Sequence, residues 1–96
     1  MLTITRHAKQ RAVSRLGFER TKAASKLNWL YREARPVAGP SLPKWFRPIP
    51  KRYAPTTRFG RTTYAGLEII FVTVPMATGE ALVTVITNAD QEDGIM

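Results

Sequence analysis

Three side chains near the start of the chain could act together on a phosphate group. His7, Arg11 and Arg15 are spaced four residues apart, which places them on consecutive turns of one helix face if residues 6–16 are helical. Cleavage of RNA by its own 2′-hydroxyl needs a proton acceptor, a proton donor and cations that meet the charge developing on phosphorus. One imidazole that titrates near neutrality and two guanidinium groups can supply much of this without a metal ion. By its chemistry alone, a single histidine at the start of a helix is more often a surface or capping residue.

The rest of the chain offers few other reactive groups. His7 is the only histidine and there is no cysteine, which argues against a histidine or thiolate metal site. The C-terminal carboxylates are isolated, since Glu68 and Glu80 lie on or beside expected strands and the others stand in residues 88–96. This spacing is poor for paired-carboxylate hydrolysis or two-metal phosphoryl chemistry. We therefore expect neither a metal ion nor a cofactor.

Charge is the strongest signal in the composition. The 96 residues include 15 Lys plus Arg against 7 Asp plus Glu, for a formal net charge of +8. All the cations lie in residues 1–61, whereas every charged residue in 62–96 is acidic. Basic chains of this kind usually bind polyanions, because each phosphate contact releases condensed counterions. We expect a nucleic acid as partner, RNA before DNA; the alternatives are a merely solvated surface or an acidic protein partner.

The first helix is expected over residues 6–16. Thr5 is a good N-cap, and Ala8, Ala12 and Leu16 follow on one face. Gly17 then ends the helix, at a position that commonly needs a left-handed backbone. The spacing therefore predicts a short helix whose other face is strongly cationic.

A second helix is expected from about residue 19 to residue 34, because apolar residues recur there at helical spacing and Pro36 follows. Trp29 either borders the apolar stripe or lies exposed beside cations, where an aromatic ring would suit base stacking.

Residues 61–87 are predicted to form a three-stranded antiparallel meander. They are dense in β-branched and aromatic residues, and turn signals occur at residues 65–66 and 75–79. The middle run, residues 67–74, should be a central strand covered on both faces. Residues 2–4 either add a short edge strand or lead into the first helix. A sheet this small needs a covering layer, which predicts an α+β domain with two N-terminal helices packed on a three- to four-stranded antiparallel β-sheet.

Residues 36–55 are predicted to be a long, extended loop, because they hold six prolines among cations and aromatics. In one interpretation the loop clamps a nucleic acid, with phosphates on its cations and bases on Trp45, Phe46 or Tyr53. In the other, Trp45 and Phe46 only anchor the loop to the core. Residues 88–96 are expected to be a flexible acidic tail.

The segment from Ile4 to Phe18 resembles the opening of the small DUF4258-type domains, whose start is roughly S/T-x-H-A-x-x-R-x-x-x-R-G-I/F. The later V-T-V-I-T run is similar as well. These domains are grouped with the barnase, colicin and RelE-like ribonuclease fold, in which N-terminal helices precede an antiparallel sheet. The resemblance implies that His7, Arg11 and Arg15 are active-site residues, completed on the last strand by Thr87 or Thr84.

These observations favour a small, metal-independent endoribonuclease of toxin type, or a relative of one. His7 would be the general acid or base, while Arg11 and Arg15 would hold the scissile phosphate. The residues expected to contact nucleic acid are Arg6, Lys44, Trp45, Arg47, Lys51, Arg52, Arg58 and Arg61.

The alternative is a non-catalytic protein, encoded by a phage or mobile element, that binds DNA or inhibits a host nucleic-acid enzyme. It would need the same charge but not His7. A basic toxin would also be expected to pair with an acidic neutralising protein. No run of about 18 apolar residues and no signal-peptide layout occurs, so we expect a cytoplasmic protein without membrane contact.

Overall fold

A computed structural model describes residues 2–38, 41–46 and 56–88. These residues form the following elements: β1 (Leu2–Ile4), α1 (Arg6–Leu16), α2 (Ala23–Glu33), β2 (Arg35–Val37), β3 (Arg58–Tyr64), β4 (Leu67–Met76) and β5 (Gly79–Thr87). The two helices and the sheet confirm the predicted α+β class. The sheet itself differs from the prediction, because it is five-stranded and mixed, with the order β1-β5-β4-β3-β2.

The three central strands form the predicted antiparallel meander, in which β3 pairs with β4 and β4 with β5. The first of them begins at Arg58, three residues earlier than predicted. The second continues to Met76 rather than ending at residue 74, so Pro75 lies within β4, opposite Glu80. The sequence predicts a turn at this proline, because proline cannot donate to a ladder. The structure accommodates it in the last residues of a strand, where the hairpin turns.

Two short edge strands complete the sheet. β1 runs parallel to β5, with Leu2 opposite Glu80, and so makes the sheet mixed. β2 pairs antiparallel with β3 and places Pro36 opposite Gly60. The prediction placed Pro36 at the start of an irregular loop, but an edge strand tolerates a residue without an N–H. The all-antiparallel sheet of three or four strands is therefore corrected at both edges.

The second helix is shorter than predicted, since α2 begins at Ala23 instead of about residue 19. Residues 19–22 form a turn closed by the Lys22 N–H, which donates to the Glu19 carbonyl at 3.0 Å. Helical spacing of apolar residues did not reveal this turn, because the apolar stripe starts only at Ala23.

The sheet is covered on both faces. The helices pack Ala12 and Leu27 against Phe71 and Val85 on one face. Residues 41–46 cover the other face, where the fully buried Phe46 lies in a second cluster formed with the following residues: Leu42, Ile70, Val72 and Ile86. Alternate residues of β4 thus enter opposite clusters, which confirms that it is a central strand. For Phe46, the structure shows the anchoring role.

Helix α1 is attached to β5 near both of its ends. The Thr5 hydroxyl accepts a hydrogen bond from the Ala8 N–H at 3.2 Å and donates to the Leu82 carbonyl at 2.9 Å. Near the other end, Arg15 Nη1 donates to the Val85 carbonyl at 2.8 Å. Gly17 ends the helix with a φ of +72°, a left-handed conformation that glycine adopts without a steric penalty. These contacts determine which face of α1 points away from the sheet.

Candidate nucleic-acid interface

The fold concentrates the positive charge on one layer of the molecule. Residues 6–35, which form the helical layer and the start of β2, carry nine cations and two acids, a formal net charge of +7. The other described residues include most of the sheet and the segment that covers its second face. They carry three cations and two acids, a net charge of +1, over residues 36–38, 41–46 and 56–88. The helical layer is therefore the part of the described chain best suited to a polyanion.

Within this layer, α1 carries the predicted catalytic row, which consists of His7, Arg11 and Arg15. It brings the first two of these side chains into contact. His7 is exposed, and Arg11 Nε donates to its Nε2 at a distance of 3.4 Å. Arg15 lies one turn further on and is half-buried, with Nη1 bound to the Val85 carbonyl. The row thus consists of an exposed imidazole–guanidinium pair followed by an arginine that is directed at the sheet. No acidic residue occurs in α1, so nothing within the helix neutralises these cations.

A shallow depression lies on the outer face of α1. Its lining includes Arg6, Lys9 and Arg20, together with the polar side chains of Gln10 and Ser14. Within residues 2–38, 41–46 and 56–88, none of these three cations forms a salt bridge. Arg6 was expected to contact nucleic acid. The structure places it beside Lys9, its neighbour on the predicted cationic face, and beside Arg20. The sequence pattern did not group Arg20 with them, because Arg20 reaches the depression only through the turn between the helices.

The last-strand threonines are poorly placed for a solvent-facing site. Thr87 is only 1% exposed and pairs with Ile69, whose side chain lies in the core under the helices. Thr84 is also buried and pairs with Val72, which belongs to the cluster on the opposite face. The structure therefore does not bring either hydroxyl into the exposed part of the row at His7.

The two arginines of β3 are bound to neighbouring carboxylates. Arg58 Nη1 contacts Glu80 Oε1 at 3.0 Å, and Arg61 forms an ion pair with Glu68. These partners neutralise much of the charge that the two arginines would otherwise offer to a phosphate. They were predicted to contact nucleic acid, and the structure places both in local ion pairs on the sheet rather than on the helical layer.

The described part of the proline-rich loop is held against the sheet. Lys44 is exposed, but Trp45 is half-buried, and its indole N–H donates to Glu68 at 2.8 Å. This hydrogen bond, followed by the interaction with Arg61, lowers the pKa of the Glu68 carboxyl below its usual value. The remaining loop residues expected to bind nucleic acid lie outside the described residues: Arg47, Lys51 and Arg52.

A further polar cluster lies where α2 crosses the sheet, and the sequence did not reveal it. The Tyr31 hydroxyl donates to Glu80, which also binds Arg58. Burial, and then the hydrogen bond to Glu80, raise the pKa of Tyr31 to about 12. Two adjacent clefts share Tyr31, Arg32 and Glu80 in their linings, and Asn28 lines one of them. No local spacing signals this cluster, because its residues come from α2, β3 and β5.

The described residues contain no group of three or more His, Cys, Asp or Glu side chains arranged to hold a metal ion. They also include no helix of the length and apolarity needed to cross a membrane.

The chain was compared with protein-family models, curated proteins and solved structures, and none of them matches it. The function is therefore inferred from the charge distribution and the geometry of the helical layer.

Proposed function

We propose that the protein binds RNA on its helical layer and cleaves it without a metal ion at the His7–Arg11 pair, as a toxin-type endoribonuclease or a relative of one. The observation that carries this proposal is the exposed imidazole 3.4 Å from a guanidinium, on a helix without any acid. Such an arrangement costs helix stability, because like charges four residues apart repel each other and cations near a helix N-terminus oppose its dipole. A polyanionic ligand would offset this cost.

The geometry of the pair suits a general base. Arg11 Nε donates to Nε2 of His7, so that nitrogen presents a lone pair. Once a substrate phosphate takes over the Arg11 N–H, the lone pair can accept the proton of a ribose 2′-hydroxyl. The 2′-oxygen then attacks phosphorus, the bond to the 5′-oxygen breaks, and the leaving oxygen takes a proton from the solvent. The products are a 2′,3′-cyclic phosphate and a 5′-hydroxyl.

The guanidinium of Arg11 is close enough to the imidazole to bind the same phosphate on which His7 acts. Its role would be to stabilise the negative charge that develops on the phosphate oxygens during attack. The depression lined by Arg6, Lys9 and Arg20 would hold neighbouring phosphates of the strand. Arg15 would support the row from the sheet side, through its hydrogen bond to Val85.

The test is an incubation of the purified protein with total RNA in the presence of EDTA. Products are separated on a denaturing gel, and their ends are assayed for 2′,3′-cyclic phosphate. Wild-type protein should cleave at discrete positions. The His7→Ala variant should lose at least about 100-fold in rate, as expected when a general base is removed, and should keep its affinity for RNA.

Two variants serve as matched controls. Thr63→Ala alters an exposed, uncharged residue of β3, outside the helical layer, and should cleave like wild type. Arg35→Ala removes one exposed cation from the edge strand β2, so it matches the charge change of Arg11→Ala without touching the row. Arg11→Ala should reduce cleavage far more than Arg35→Ala does. Equal effects of the two arginine variants would refute the role given to Arg11.

One observation favours the alternative of a non-catalytic binder. His7 is the one side chain of the row whose type commonly transfers protons, while Thr87 is buried and Arg15 is bound to a strand carbonyl. A phage- or mobile-element-encoded protein that occupies nucleic acid or inhibits a host enzyme would use the same cations and would not need the imidazole. RNA binding without cleavage, unaffected by His7→Ala, would establish this alternative.

A further inference from the structure

The outer face of α2 carries a large aromatic side chain in contact with solvent. Trp29 is 55% exposed, whereas Ala23, Leu27 and Leu30 of the same helix are buried against the core. The sequence left open whether Trp29 borders the apolar stripe or lies among cations. The structure places it on the side of the helix that faces away from the core, where packing requires no apolar residue.

Two cations flank Trp29 on α2, and the exposed Glu33 lies one turn further along the same face. Lys26 and Arg32 lie three residues before and after it, which places both beside the indole on the helix surface. Both are exposed, and Lys26 Nζ also lies 5.1 Å from the centre of the Phe18 ring, which holds that ammonium group close to the helical layer. Arg32 additionally lines the two clefts next to Tyr31.

We infer that Trp29 is a stacking platform for an unpaired base of single-stranded RNA, with Lys26 and Arg32 binding the phosphates on either side of that base. This inference rests on the proposed function, since it extends the RNA path from α1 across α2. Proteins that bind single strands combine a cationic surface with exposed aromatic rings on which bases stack. The helical layer provides both features within one element.

A single strand is favoured over other occupants for two reasons. The net charge of +7 in residues 6–35 is complementary to a phosphate chain. A planar indole on a convex helix surface can stack on a base only when the face of that base is exposed. In a continuous duplex the neighbouring base pairs cover these faces, so Trp29 would find no partner there. Stacking does not depend on base identity, and Trp29 therefore contributes affinity for single strands rather than sequence preference.

The test uses the intrinsic fluorescence of the full chain, which contains two tryptophans. Wild-type protein is titrated with an unstructured RNA of about 12 nucleotides, a length within the site sizes of single-strand binders, and with a duplex of the same length. The variants are Trp29→Ala and Trp29→Phe, at a solvent-exposed position where neither change removes core packing. In Trp29→Ala the remaining signal comes from the half-buried Trp45.

The single strand should quench the wild-type emission, and Trp29→Ala should lose that quenching. The same variant should lose about tenfold in affinity for the single strand, as expected for one stacked base, and little or none for the duplex. Trp29→Phe should retain most of the affinity, because a phenyl ring still stacks.

Unchanged quenching in Trp29→Ala, or equal losses of affinity for single strand and duplex, would overturn the inference while leaving RNA binding by α1 intact. Wild-type protein that binds neither RNA would instead overturn the proposed function along with it. Full affinity of Trp29→Ala for the single strand would also overturn the inference, and would favour a role for Trp29 in docking a protein.

Discussion

Replacing Tyr31 by phenylalanine tests the polar cluster where α2 crosses the sheet. In the wild type the phenol donates a hydrogen bond to Glu80, which is also bound by Arg58. Phenylalanine keeps the ring, which packs edge to face against Phe71 with centroids 6.1 Å apart, and removes only the hydroxyl. At neutral pH the variant should be less stable by about 1 kcal/mol, the usual net contribution of one hydrogen bond.

The pH dependence provides the sharper test. The pKa of Tyr31 is raised from 10.0 to about 12, so the folded state keeps this proton over a range in which the unfolded chain has lost it. The stabilisation is therefore complete below pH 10 and is lost as pH rises toward 12. Two pKa units correspond to about 2.7 kcal/mol, half of which would be lost by about pH 11. Because the phenol is only partly buried, we expect a loss of about 1 kcal/mol at that pH.

The assay is urea unfolding followed by circular dichroism at pH 8 and at pH 11. The difference in unfolding free energy between wild type and Tyr31→Phe should be about 1 kcal/mol at the lower pH and close to zero at the higher one. Tyr64→Phe is the matched control. Tyr64 also packs edge to face on a phenylalanine, Phe18, but its hydroxyl has no hydrogen-bond partner among the described residues. That control should follow the wild-type curve at both pH values. A Tyr31→Phe difference that stayed constant with pH would refute the assigned hydrogen bond.

Two further predictions concern contacts that hold residues 41–46 and helix α1 against the two faces of the sheet. Glu68→Gln should cost no more than about 1 kcal/mol at pH 7, because the ion pair with Arg61 is partly exposed. Because the pKa of Glu68 is lowered, its stabilisation is complete above the usual carboxyl pKa and is lost as pH falls through the lowered value. Urea unfolding at about pH 3 should therefore show a smaller difference between Glu68→Gln and wild type than unfolding at pH 7. An equal difference at the two pH values would contradict this. Thr5→Ala should lower stability by about 1 to 2 kcal/mol through loss of the N-cap and of the hydrogen bond to Leu82, whereas Thr5→Ser keeps both. Thermal unfolding that gave the same midpoint for the alanine and serine variants would argue against this role.

Local patterns in the sequence predicted the elements that local chemistry controls. Thr5 and Gly17 define the first helix, because an N-cap hydroxyl and a left-handed glycine act within a few residues of the chain. The four-residue spacing of His7 and Arg11 likewise predicted that they meet on one helix face. The apolar run of residues 67–74 identified the central strand.

Other predictions depended on contacts between distant segments and were only partly correct. The parallel pairing of β1 with β5 joins residues almost eighty positions apart, and no local signal determines on which side of a sheet a three-residue strand will lie. The sequence predicts that Pro36 and Pro75 interrupt regular structure. In the fold they lie in an edge strand and at a strand end, where a missing N–H is tolerated. The start of α2 was placed too early because a polar turn precedes its apolar stripe.

The basic charge, the scarcity of reactive groups and the cationic row on one helix follow directly from residue identity and helical spacing. Which cations a phosphate could reach depends instead on how the distant segments pack. Packing pairs Arg58 with Glu80 and Arg61 with Glu68, buries Thr87, and adds Arg20 to Arg6 and Lys9 at one depression. An ion pair depends on distances of a few ångströms between side chains, and here strand register and helix docking set those distances rather than separation along the chain.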